Sequence, residues 1–272
     1  ASLLEADRRK DEFLAMLGHE LRNPLAALTT CVALLAQNPD EKRRLWAEDL
    51  IARQVEQLRR LVDDLVDVAR IRRGKIELHR EIVDLREGLD AAIGAVSDLI
   101  EQHGHRLAVS FPDHLVLLEA DPARLEQILT NLLTNAAKYT PDGGDIQLAV
   151  ELASDVPVSV GEAPTEVVIR CRDNGAGIPP GALESIFEPF VQFNTALDRS
   201  HSGLGIGLTL VRRLAELHGG SVRATSGGVG RGSEFVLRLP VFTGPPAFGP
   251  LGEEEASESE LVHGWRALVI DD

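Results

Sequence analysis

Near the start of the chain leucines recur every seventh residue, at Leu14, Leu21, Leu28 and Leu35, while Leu17, Pro24 and Cys31 fill a second stripe. This is the a/d seam of helices packed in a bundle. It predicts one helix over residues 3–37, broken at Asn38-Pro39-Asp40. A second helix is predicted over 41–73, with Ile51, Val55, Leu58, Val62 and Leu65 on one face and Arg72-Arg73-Gly74 as its ending. One hairpin cannot cover both of its seams, so two copies are expected to pair into a four-helix bundle. With Leu14 at position a, His19 falls at f, away from the seam and open to another domain.

From Lys75 onward short strands alternate with helices. Strands are predicted over 76–83, 106–110, 115–119, 146–152, 166–172, 221–225 and 233–239, with a loop over 153–165. Helices are predicted from Asp84 to about 103, from Asp121-Pro122 to Tyr139, and from Gly205 to His218. The fold class is α+β: a dimerising antiparallel helical hairpin, then an α/β sandwich with helices on one side of a largely antiparallel sheet. The expected boundaries are 1–74 for the hairpin and 75–242 for the α/β domain, with a flexible joint near Gly74. Residues 243–263 form an acidic linker, and 264–272 the cut-off start of a buried-strand pattern.

Composition narrows the function. A net charge of −15 argues against nucleic-acid binding, since a phosphate backbone wants a basic face. Two distant cysteines, Cys31 and Cys171, imply no disulfide framework, and a cytoplasmic setting is expected. No apolar run approaches the roughly 20 residues that span a bilayer, so no membrane contact is expected. The chain begins without methionine, which reads as an excised fragment.

Five segments carry candidate chemistry. His19-Glu20, with Asn23 and Pro24 one turn on, places an imidazole beside a carboxylate. Asn131, Asn135 and Lys138 share one helix face, where amide oxygens and an ammonium suit Mg²⁺ and phosphate. Asp173-Asn174-Gly175-Ala176-Gly177-Ile178 follows a strand, so an aspartate can accept from an adenine amino group while glycines let backbone approach a flat ring. Phe187, Phe190 and Phe193 cluster within seven residues. Gly203-Leu204-Gly205-Ile206-Gly207 enters a helix, where amides and the helix dipole offer an anion site. Each has a plainer alternative: a solvated histidine, a polar helix face, a turn, ordinary core packing, a loop.

Together, and in this order, the five segments resemble the catalytic core of sensor histidine kinases: the phosphoacceptor box, then the asparagine, first glycine, phenylalanine and second glycine boxes. The resemblance covers about residues 8–240 and implies an ATP-binding domain of Bergerat type. It also implies ATP and Mg²⁺ as cofactors, a homodimer, and a receiver domain as partner. On this resemblance His19 accepts the phosphoryl group, Glu20 takes or orients its proton, and Asn23 orients water for a phosphatase step. Asn135 ligates Mg²⁺ with Asn131 in support, Lys138 neutralises phosphate, and Tyr139 lines the pocket. Asp173 reads adenine beside Gly175, Gly177 and Ile178. Residues from about 180 to 204 form a lid anchored by Phe187 and Phe190 and hinged at Gly203, Leu204, Gly205 and Gly207, from which Arg199 reaches the γ-phosphate. Arg231 to Phe235 resembles the closing segment, with Ser233 for the commoner threonine, and Ala267 to Asp272 resembles the start of a receiver. A phosphatase-dominant or pseudokinase module and a Bergerat ATPase stay open as alternatives.

Overall fold

The structure, a computed structural model, describes residues 2–72, 77–153, 165–191 and 205–244. Within the first two helices, the side chains of residues 2–14, Met16, His19, Arg60, Asp64, Val68, Ala69, Ile71 and Arg72 are not described. The joint near Gly74, most of the 153–165 loop, the linker and the receiver-like end lie outside the described residues.

Two long helices come first, α1 (Ser2–Leu35) and α2 (Glu41–Arg72). The heptad stripe closes their interface: Pro24 and Cys31 are buried on α1 and Ala47 on α2. Asn38 makes the turn at φ 49°, a conformation its short polar side chain tolerates. Asp40 then caps α2, its Oδ1 accepting from the Arg43 N–H at 2.9 Å. The outer face of α2 carries exposed i,i+3 and i,i+4 pairs, Arg44 with Glu41 and Glu48 and Arg59 with Glu56 and Asp63. Such pairs support helicity but add little stability. α1 runs unbroken through Pro24.

The α/β domain has a five-stranded sheet in the order β2-β4-β5-β7-β6 (Arg106–Ser110, Asp145–Ala153, Glu166–Asp173, Ser233–Pro240 and Ser221–Thr225). β2 runs parallel to β4 and the other pairs are antiparallel. Alternation puts Ile146, Leu148 and Val150, then Val167, Ile169 and Cys171, then Phe235, Leu237 and Leu239 on one buried face. Helices α3 (Leu85–Gln102), α4 (Pro122–Tyr139) and α5 (Gly207–Leu217) share one hydrophobic core with that face.

Some boundaries differ from the sequence pattern. The predicted strand 76–83 is reduced to β1 (Glu81–Asp84), which pairs with β3 (Leu117–Ala120) in a separate two-stranded ribbon. Upstream of it, the His79 N–H is taken by Asp121 Oδ2 at 3.0 Å, not by a strand partner. α5 starts at Gly207, because Gly205 at φ 65° cannot be helical. Among the described residues no helix is long and apolar enough to cross a membrane.

Candidate functional site

The site grows from the C-terminal half of α4. Asp121 caps that helix, with Oδ1 accepting from the Arg124 N–H at 3.2 Å, and Pro122 follows where no donor is needed. The cap is backed by His218 at the end of α5. His218 Nε2 accepts from the Asp121 N–H at 3.1 Å, so the ring is neutral and Nδ1–H donates to the Leu214 carbonyl at 2.8 Å. Burial holds the His218 pKa below its ordinary value. Beyond the cap, Asn131, Asn135 and Lys138 fall on one stripe of α4, all half-buried.

Facing α4, the loop after β5 is held by Asp173. Asp173 is 6% exposed. Oδ1 accepts from the Gly175 N–H at 2.8 Å and the Ser233 N–H at 3.3 Å, while Oδ2 accepts from the Ser233 hydroxyl at 2.5 Å. The Asp173↔Ser233 register of β5 and β7 sets this pair. Three donors on one carboxylate fix its orientation and hold it as an acceptor. Behind it, burial pushes the Cys171 thiol up to about 12, and the Asp173 charge adds to the shift. That thiol is inert at neutral pH.

Backbone packing shapes the loop. A Cβ on Gly175 would lie 2.2 Å from the Tyr139 carbonyl oxygen, where the Ala176 N–H now donates at 2.9 Å. Gly177 has φ 68°, and its Cβ would meet the Gly228 oxygen at 2.1 Å. Ser226, which the sequence pattern did not single out, pins the other side. Its Oγ accepts from the Ile178 N–H at 2.9 Å and donates to the Gly232 carbonyl at 2.6 Å.

The result is an open cleft beside the C-terminal half of α4. Of the predicted residues, Asn135, Tyr139, Asp173, Gly177, Ile178 and Ser233 line it. The sequence did not reveal its apolar walls as such: Ala176, Pro179, Ile186, Val191, Leu208 and Phe235. Their one signal was apolar residues beside the glycine and phenylalanine segments. A mostly apolar cleft with a fixed acceptor suits an aromatic ring bearing an amino group.

The remaining predicted residues are placed as follows. Asn131 faces the loop entering α5, its Oδ1 3.1 Å from where a Gly207 Cβ would sit. Phe187 packs edge-on to Phe235 under the Arg212 guanidinium, 4.2 Å above its ring. Phe190 does not line the cleft. It sits at φ 68°, donates its N–H to the Gly205 carbonyl at 3.1 Å and packs against Ile206, as do Leu17 of α1 and Leu61 of α2. Glu20 is buried and Asn23 exposed on α1. His19 lies in α1, its side chain outside the described residues, as are Arg199, Gly203 and Leu204.

A helical hairpin followed by a nucleotide-type cleft between a polar helix stripe and a glycine loop defines a two-part nucleotide-using protein. Residues 9–74 match the His Kinase A (phospho-acceptor) domain family, and residues 120–243 match the histidine kinase-, DNA gyrase B-, and HSP90-like ATPase family. The chain belongs to the histidine kinases, as its α+β architecture and site segments led one to expect. It is 34% identical over 233 residues to the probable sensor histidine kinase TcrY of Mycobacterium tuberculosis, covering 85% of this chain and 46% of that protein. It is 32% identical over 239 residues to hybrid signal transduction histidine kinase D of Dictyostelium discoideum, covering 87% of this chain and 15% of that protein. Among solved structures, full-length ShkA in complex with AMPPNP matches 86% of this chain and 46% of that chain, at TM-score 0.58 and 33% identity. The chain thus spans less than half the length of these relatives.

Proposed function

We propose that the chain is the catalytic core of a sensor kinase that moves the γ-phosphoryl group of ATP to His19, and thence to an aspartate of a receiver domain. The observation that carries this proposal is one compact unit holding both the helix with His19-Glu20 and the cleft walled by Asn135, Asp173 and Ser233. Hairpin (1–74), ATP domain (75–242), linker (243–263) and receiver-like end (264–272) are the proposed division of labour.

Asp173 accepts the adenine amino proton, a role for which its three donors already orient it. Tyr139, Ile178, Gly175 and Gly177 border the ring. Asn131 and Asn135 fit Mg²⁺: they are hard oxygen donors on one stripe, and Mg²⁺ takes only one or two protein oxygens alongside substrate phosphates. When bound, the ion neutralises phosphate charge. Lys138 adds a positive charge on the same stripe, and Gly205 and Gly207 present backbone to the phosphates. Gly203, Leu204 and Arg199 lie outside the described residues and are assigned to the phosphate side by the resemblance alone.

The protein's work is positioning and charge neutralisation, with in-line attack by the imidazole. Glu20, buried beside the phosphoacceptor position, takes or orients the imidazole proton. Asn131 stands where a water-activating ATPase needs a base. An amide takes no proton from water, so hydrolysis is slow while a histidine can attack. Exposed Asn23 orients water in the reverse, phosphatase step on the receiver aspartate. Leu25, Val32, Leu45, Trp46, Val55 and Val62 are exposed apolar residues along the hairpin, and the homodimer is the proposed cover for them.

Incubation with γ-labelled ATP and Mg²⁺ tests the proposal. Acid-labile label on the wild type, absent from His19→Ala and from Asn135→Ala, is expected. No label on the wild type overturns it.

A further inference from the structure

Deepening that proposed kinase function, on which it rests, we infer that Asp67 is a positioning residue for phosphoryl transfer, fixing the phosphate-facing stripe of α4 against the hairpin that carries His19.

Asp67 lies on α2 and is 4% exposed, an unusual burial for a carboxylate on an otherwise solvated helix. Both of its oxygens are engaged by the other domain. Arg124 Nη1 donates to Oδ2 at 2.5 Å and Nη2 to Oδ1 at 3.0 Å, a two-pronged fork. Gln127 Nε2 donates to Oδ2 at 3.1 Å, and its Oε1 accepts from Arg124 Nη1 at 2.8 Å. The network is closed, so neither Arg124 nor Gln127 can turn without breaking a buried contact.

The stripe itself explains the consequence. Arg124, Gln127, Asn131, Asn135 and Lys138 are spaced by three, four, four and three residues, which keeps them on one side of α4. The first two grip Asp67. The next three are the proposed Mg²⁺ and phosphate residues, beginning four residues past Gln127, about 6 Å further along the helix. A rigid helix therefore carries the position set at Asp67 directly to the phosphate end of the cleft.

A second contact prevents swing about the first. Ile206, between Gly205 and Gly207 at the start of α5, is 1% exposed, with Leu17 and Leu61 of the hairpin and Phe190 packed against it. Leu17 belongs to the turn of α1 that leads into residues 19 and 20. Two separated points, one ionic and one apolar, define both the height and the rotation of the ATP domain on the hairpin. The ion pair is part-buried, with the Arg124 side chain 23% exposed and that of Asp67 5%, so desolvation offsets part of its Coulomb attraction and it orients more than it binds.

The test compares the full chain with Asp67→Asn and with the exchanged pair Asp67→Arg/Arg124→Asp. The readouts are the dissociation constant of a fluorescent ATP analogue and the single-turnover rate of His19 labelling at saturating Mg·ATP. Asp67→Asn is expected to slow labelling about ten- to a hundredfold, as small misplacements do, with the dissociation constant changed less than twofold. The exchanged pair is expected to recover most of the rate. An unchanged or faster rate in Asp67→Asn overturns the inference. So does a parallel loss of nucleotide binding, which marks a merely structural role. A wild type that never labels refutes the kinase proposal instead.

Discussion

The hairpin and the ATP domain bury their apolar residues in opposite ways. In the ATP domain Leu85, Ile128, Leu132, Ile146, Ile169 and Leu210 all belong to one core closed within a single chain. On the hairpin, Val32 is 61% exposed and Trp46 53%. One region completes itself, whereas the other leaves apolar residues that the proposed homodimer would cover. On that proposal the stability of the first is a property of the chain, and that of the second depends on concentration.

The contrast can be broken at several strengths. Leu132→Ala empties the middle of the ATP-domain core and should cost about 2–5 kcal/mol. Denaturant melts at two protein concentrations should show the same loss at each. Val55→Asp should instead weaken dimerisation at least tenfold, about 1.4 kcal/mol, in analytical ultracentrifugation, and leave the ATP-domain melt in place. A change in that melt would mean the two regions are not energetically separate. Asp40→Ala removes the α2 cap and should cost about 1 kcal/mol, confined to the concentration-dependent transition.

The smallest effect is expected from pH. The His218 pKa is depressed in the folded state, chiefly by burial, with Arg80 lowering it further and the Leu214 carbonyl and Asp121 opposing. Its contribution is present in full above the ordinary histidine value of 6.5 and is lost as pH falls below it. Protonation would fill Nε2, which now accepts from the Asp121 N–H at the cap of α4. Denaturation at pH 7.5 and 5.5 should show a loss confined to the ATP-domain transition and reduced in His218→Gln.

Local chemistry made much of this legible. Asp121-Pro122 marked the first turn of α4 because a cap and a donor-free residue have one favoured order, and Thr140-Pro141 marked its end. The stripe of Asn131, Asn135 and Lys138 followed from helix period alone. Long-range geometry was not legible. Glu20 was read for its chemistry and not for its burial, although as residue g of the heptad it flanks the seam. Nothing in the sequence pattern singles out Asp67 among the acids of α2. Its partner Arg124 is 57 residues away, and only the docking of two domains brings them together. Phe190, expected beside the nucleotide, has a left-handed backbone and packs against Ile206, a contact that no local pattern predicts.

The most direct test of the central claim is to locate the phosphoryl group after incubation with Mg·ATP. Peptide mapping by mass spectrometry should place it on the peptide containing His19, as an acid-labile adduct that survives base. Free phosphate released over many turnovers, with no phosphoryl group on that peptide, would contradict the account and mark the ATP domain as a hydrolase.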